Sequence, residues 1–143
     1  MKKVLLAQTD TTVGFLSQDA KRLEEIKMRA SDKPFLKVYA DFYVLRRDIR
    51  IPVLHKHRVR HSRKTTFIVK NQAFRYVSDP EHARLIRPYG WLYSTSANES
   101  GQKYDAEFCI SAADWIIEDY RGLQELSASR IYKLGSTRLR RIR

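Results

Sequence analysis

Three short segments carry side chains able to do chemistry. Ser94-Thr95-Ser96-Ala97-Asn98-Glu99-Ser100-Gly101 follows an apolar run and ends in glycine. Hydroxyl and carboxamide groups at a strand end can bond phosphate oxygens or a nucleobase. The same composition can also satisfy its own backbone through Asx- and Ser/Thr-turns. Lys27-Met28-Arg29, with Lys33 beyond, pairs a mobile point charge with a planar fork suited to carboxylate or phosphate. Cations at i and i+2 do not share a helical face, so they converge only if the helix ends there, as Pro34 suggests. Pairing with the helix C-terminus is the alternative. Thr9-Asp10-Thr11-Thr12 is a third compact polar segment.

Each segment follows an apolar element. Val4–Ala7 and Val13–Leu16 predict strands, and Ser17 or Asp19 caps a helix to about Met28, with Leu16, Ala20, Leu23 and Ile26 on one face. Phe35–Tyr39 predicts a strand and Asp41–Arg47 a short helix; 48–64 shows no clean period and predicts mainly a basic loop. Thr65–Val69 and Ala73–Val77 predict a hairpin joined by Lys70-Asn71-Gln72. Asp79-Pro80 opens a helix that Gly90 closes, with Leu85 and Ile86 inward. Trp91–Tyr93 leads as a strand into Ser94–Ser96, and Asp105 caps a helix to about Cys109. Trp115–Ile117, Ile131–Leu134 and Leu139–Ile142 predict three more strands, with Trp91 and Trp115 in the core or half-buried. Interspersed strands and helices imply an α/β (α+β) fold, a mixed sheet flanked by helices, in one domain over 1–143.

The chain has 143 residues, a size that can bury a proper core, and a net charge of +12 that attracts polyanions. The charge is regional. Residues 46–64 hold eight Lys/Arg against Asp48, and 130–143 hold six with no acid, while elsewhere fourteen basic residues face fifteen acidic ones. His55, His57 and His61 are interleaved with Lys56, Arg58 and Arg60, which disfavours a metal and suits a solvated or RNA-contacting stretch. Cys109 is the one cysteine, so no intrachain disulfide forms; a small core residue and a reducing compartment are expected. The apolar run near Met1 is too short for a signal peptide and no stretch approaches a membrane span, so a cytoplasmic location without membrane contact is expected.

The segments together resemble a known family. Gln8-Thr9-Asp10-Thr11-Thr12-Val13-Gly14 is similar to the Pro-Thr-Asp-Thr-Val-Tyr-Gly signature of the YrdC-like L-threonylcarbamoyladenylate synthases. Ile26–Arg29 and Asp32–Leu36 resemble its Lys-x-Arg motif and trailing Lys-Pro-Leu, and Ser94–Gly101 matches each fixed position of Ser-Thr-Ser-Ala-Asn-x-Ser-Gly. Thr66–Val69, Phe74–Val77 and Ala128–Ile131 resemble further stretches in the same order. The chain departs from the pattern at Gln8 and Val13. Arg60–Lys64 replaces a Trp-Pro-Gly-Pro stretch, and both the leading helix and a long connection before the Arg75 strand are missing, as in a short, truncated member.

The resemblance implies a YrdC/RibB-like twisted mixed sheet around a basic central cavity. It also implies synthesis of threonylcarbamoyl-AMP from L-threonine, bicarbonate and ATP with Mg²⁺. The product then serves N6-threonylcarbamoyladenosine modification at position 37 of tRNA through a partner transferase complex. Lys27 and Arg29 would be catalytic and would neutralise the triphosphate or hold a carboxylate. Ser96, Asn98, Arg75, Ser129 and Arg141 would join them in binding nucleotide, and Thr9 and Thr11, with Arg29, would receive threonine. The alternative is a non-catalytic relative that binds nucleotide or RNA, with 46–64 as the RNA contact.

Overall fold

The computed structural model describes residues 1–28 and 34–143. Within them the apolar runs form strands β1 (Leu5–Gln8), β2 (Val13–Ser17), β3 (Leu36–Tyr39), β4 (Thr65–Val69), β5 (Gln72–Tyr76), β6 (Trp91–Ser96), β7 (Trp115–Ile117), β8 (Arg130–Leu134) and β9 (Leu139–Arg141). Helices α1 (Ala20–Lys27), α2 (Phe42–Asp48), α3 (Lys56–Arg60), α4 (Pro80–Ile86) and α5 (Ala106–Ala112) lie between them. Asp19, Asp41, Asp79 and Asp105 start α1, α2, α4 and α5, each carboxylate accepting first-turn backbone N–H groups. The β4–β5 turn holds Lys70 and Asn71 at φ 48° and 66°. That left-handed pair matches the twist of a two-residue hairpin.

All nine strands join one mixed sheet in the order β7-β1-β2-β6-β3-β5-β4-β8-β9. The pairs β1/β7, β3/β5 and β4/β8 are parallel. Alternation along the strands sorts the core into two faces. Leu5, Ala7, Leu16, Val38 and Leu92 pack with Ala83 and Ile86 of α4. Their neighbours Leu6 and Phe15 pack with Leu23 of α1 and Cys109 of α5. Tyr39, Phe67 and Phe74 pack with Leu45 of α2 and Val59 of α3. Four helices thus cover one face; α4 covers part of the other and leaves the β5, β4 and β8 end of it uncovered.

Two expectations need correction. Residues 48–64 are not mainly loop: a 3-10 turn, Val53–His55, runs into α3. Ile49, Ile51, His55 and Val59 are its buried positions, and the many cations between them hide that spacing. His55 is accordingly buried rather than solvated, while the His57 and His61 rings lie 4.0 Å apart on the outside. Trp115 is not core. Strand β7 is a sheet edge, and its Trp115, Ile116 and Ile117 are all exposed. No helix among the described residues is long and apolar enough to cross a membrane.

The packing of α3 predicts a contrast. Val59→Ala removes a fully buried side chain and lowers stability by about 2 kcal/mol. Leu54→Ala, one turn earlier and exposed, changes it by less than about 0.5 kcal/mol. Urea unfolding of the two variants measures both.

Candidate functional site

The uncovered end of the sheet holds a cavity of about 310 Å³. Its floor is set by strand parity. Thr66, Ala73, Arg75 and Ile131 point into it, while their neighbours Phe67, Phe74 and Tyr132 point to the α2/α3 side. The β1–β2 turn contributes Thr9, Thr11 and Thr12, and the end of β6 contributes Ser94, Thr95 and Ser96. These two segments meet across β2, where Gly14 pairs with Ser96. A Cβ on Gly14 would lie 3.0 Å from Thr9 Cγ2 and 3.1 Å from the Thr95 carbonyl oxygen, so glycine permits this approach.

No Asp or Glu side chain lines the cavity among the described residues, whereas two arginines, Arg75 and Arg143, do. Arg75 is 3 % exposed; its Nη1 donates to Thr11 Oγ1 at 2.9 Å and lies 3.3 Å from Asp10 Oδ1. Its Nε–H has no hydrogen-bond partner. Burial pushes the Arg75 guanidinium below its ordinary pKa; Asp10 offsets this in part, and Arg143 adds to it. The site therefore holds a buried cation that one carboxylate compensates incompletely, which is the electrostatic condition for receiving an anion.

Behind Arg75, burial would raise the Asp10 carboxyl, but the Arg75 charge helps hold it below the ordinary value. His82, on α4, is fully buried, and burial pushes its pKa below the ordinary 6.5. Its Nδ1 accepts from the Asp10 backbone N–H at 3.2 Å, which requires the neutral ring. The 3.4 Å between Nδ1 and Asp10 Oδ1 is then a close approach, not an ion pair. His82 thus clamps the β1–β2 turn against α4. No sequence pattern marks His82, and only the Asp10 contact gives it a role.

The remaining expected residues divide. Lys27, 5 % exposed, lies behind the Ser96 turn instead of lining the cavity. Its Nζ donates to the Ser96 and Asn98 carbonyls at 2.9 Å each and to Asn98 Oδ1. Asn98 Oδ1 also accepts from Ser96 Oγ at 2.8 Å, so the loop is braced by its own side chains and by Lys27. Thr9 Oγ1 donates to the Thr12 carbonyl at 2.6 Å and shapes the first turn. Ser129 lines the cavity, its Oγ 2.8 Å from Thr66 Oγ1. Arg29 and Lys33 lie outside the described residues.

Arg141 does not line the cavity; Arg143 does. Arg141 pairs with Tyr132, on the α2/α3 side of the sheet. Beyond it Ile142 and Arg143 both donate backbone N–H to the Ile131 carbonyl, at 2.8 and 3.2 Å. That bulge turns Arg143 to the cavity side, where its Nε donates to the Ser129 carbonyl at 3.0 Å. Arg141 and Arg143, one residue apart in the sequence, carry no mark of which one the bulge selects.

An open nine-stranded mixed sheet with helices on both faces and a hydroxyl- and arginine-lined cavity defines the class. The chain has the YrdC-like fold of the Sua5/YrdC proteins. It superposes over 99 % of its length on P. abyssi Sua5 complexed with L-threonine, with a TM-score of 0.78 and 19 % identity, covering 50 % of that chain. On E. coli YciO the TM-score is 0.75 at 17 % identity, over 99 % of this chain and 82 % of that one. It is also 30 % identical, over 95 residues or 66 % of its length, to the uncharacterized MG259 homolog of Mycoplasma pneumoniae. The chain spans about half of the Sua5 chain and 20 % of the Mycoplasma protein. No protein-family model matches it.

The His82 clamp has a pH signature. Because its folded pKa is depressed, stability falls as pH drops below about 6.5, where only the unfolded chain takes up the proton. His82→Asn, whose Oδ1 can replace Nδ1 as acceptor, flattens the melting temperature between about pH 7 and 5. Thermal melts of both proteins across that range check this.

Proposed function

We propose that this cavity binds ATP and L-threonine and makes threonylcarbamoyl-AMP. The observation that carries the reading is the convergence on one cavity of three segments far apart in the chain: the Thr9–Thr12 turn, the Ser94–Ser96 strand end and Arg75. The fold shared with a Sua5 protein solved with L-threonine supports it. In this reaction the threonine amine condenses with bicarbonate, with loss of water, to give a carbamate. A carbamate oxygen attacks the α-phosphate, and the Pα–O bond to the β-phosphate breaks with release of pyrophosphate. The nucleophile belongs to the substrate, so the protein's contribution is orientation and charge stabilisation.

In this reading Arg75 and Arg143 hold phosphate or carboxylate oxygens, and Ser94 and Ser96 hydrogen-bond the nucleotide. Thr9 and Thr11 border the amino acid, Asn98 and Lys27 keep the Ser96 turn in place, and Ser129 orients Arg143. Arg29 is proposed beside the triphosphate on the motif alone. Among the described residues no group of three His, Cys, Asp or Glu is placed to hold a metal. Mg²⁺ would therefore enter on the ATP phosphates, which supply its oxygen ligands. The product would pass to a transferase complex acting on tRNA.

The test is pyrophosphate release from ATP, Mg²⁺ and bicarbonate with and without L-threonine. The expected result is threonine-dependent release that falls about 100-fold in Asn98→Ala and in Lys27→Ala, since each displaces the Ser96 turn. ATP binding without threonine-dependent release favours the second reading, a non-catalytic nucleotide-binding protein.

A further inference from the structure

A second groove lies beyond the C-terminal ends of β3 and β5, between α2 and α3 on one face and the segment after α4 on the other. It measures about 430 Å³ and is walled by Phe42, Tyr43 and Arg46 of α2, Arg60 of α3, Tyr76, and Arg87 after α4. Phe42 and Tyr76 meet edge to face at 5.5 Å, and the Arg60 guanidinium sits 5.3 Å from the Phe42 ring centroid. Tyr43 is 66 % exposed, an unusual position for an aromatic without a covering element. Arg46, Arg60 and Arg87 enter no salt bridge among the described residues. The one acid in the wall, Asp41, already accepts from the Tyr43 and Val44 backbone N–H groups.

Two of its three arginines, Arg46 and Arg60, come from the basic stretch 46–64, which carries eight cations against Asp48. Cations alone fit any polyanion. Cations set around an exposed aromatic face such as that of Tyr43 fit one whose bases are free to stack, because each base offers a π-face and each nucleotide a phosphate. A duplex hides those faces, and an anionic membrane has none.

We propose that the α2–α3 groove binds single-stranded RNA, with a base on Tyr43 and phosphates on Arg46, Arg60 and Arg87. It shares no lining residue with the Arg75 cavity and does not depend on the reaction assigned there. Any RNA held in it is bound independently of ATP.

Fluorescence anisotropy tests this with a labelled single-stranded RNA of mixed sequence, the corresponding duplex and phosphatidylserine vesicles. The single strand is expected to bind more tightly than the duplex, and saturating ATP leaves that binding unchanged. Tyr43→Ala weakens it at least about fivefold with the same salt dependence. Arg46→Gln with Arg87→Gln weakens it and makes log K fall less steeply with log salt, by about 0.7 per lost phosphate contact. These side chains are exposed, and unchanged melting temperatures establish that the variants fold. Displacement by ATP would put the RNA in the Arg75 cavity and overturn the proposal. So would equal affinity for duplex, an unaffected Tyr43→Ala variant, or binding to vesicles but not to RNA. Loss of pyrophosphate release with RNA binding intact would count against the synthase reading alone.

Discussion

The buried charge of Arg75 is the interaction on which the site depends. A guanidinium 3 % exposed to solvent is costly unless paired and fully hydrogen-bonded. Asp10 and Thr11 meet part of that need, and both come from the β1–β2 turn. The turn is held in register by His82 from α4 below and by the segment after β7 from above. In that segment the Gln124 backbone N–H donates to Gln8 Oε1, and the Leu126 N–H to Thr12 Oγ1. Arg121 fixes its start by bonding both Asp119 and Asp79. What stays unmet at Arg75 is an Nε–H, on a residue that lines a cavity rich in hydroxyl groups.

The sheet explains how one small chain keeps two basic surfaces apart. Each strand through the middle presents alternate residues to opposite sides. Arg75 therefore faces the cavity while Phe74 faces the core under α2 and α3, and Tyr76 reaches the groove. The apolar layer between them isolates Arg75 from Arg46 and Arg60. A net charge of +12 would otherwise work against compaction. Here it is divided between a polar cavity and an exposed groove.

Much of this was legible in the sequence. The β-branched run Thr65–Val69 identifies β4, short apolar runs beside turn residues identify β5 and β8, and aspartates before apolar runs identify four helix starts. The hydroxyl-rich segments at 9–12 and 94–96 do lie together. What failed has physical causes. Alpha-helix α3 is short and almost wholly cationic outside Val59, so its period drowns in charge. Trp115 looks like core by type, but it stands on an edge strand, and edges are decided by topology. Arg143 replaces Arg141 at the cavity through a single bulge, which no local composition announces. In the Ser94–Asn98 segment, Asn98 closes the turn on itself while Ser94 and Ser96 line the cavity.

The central claim is that the incompletely paired Arg75 makes the cavity an anion receptor, and ATP-induced stabilisation tests it most directly. At about a hundred times its Kd, a ligand confined to the folded state adds about 2.7 kcal/mol. The account predicts that ATP stabilises the wild-type protein, whereas Arg75→Met combined with Asp10→Asn, which strands no charge, loses most of that gain. Equal ATP stabilisation of the wild type and the double variant would contradict it.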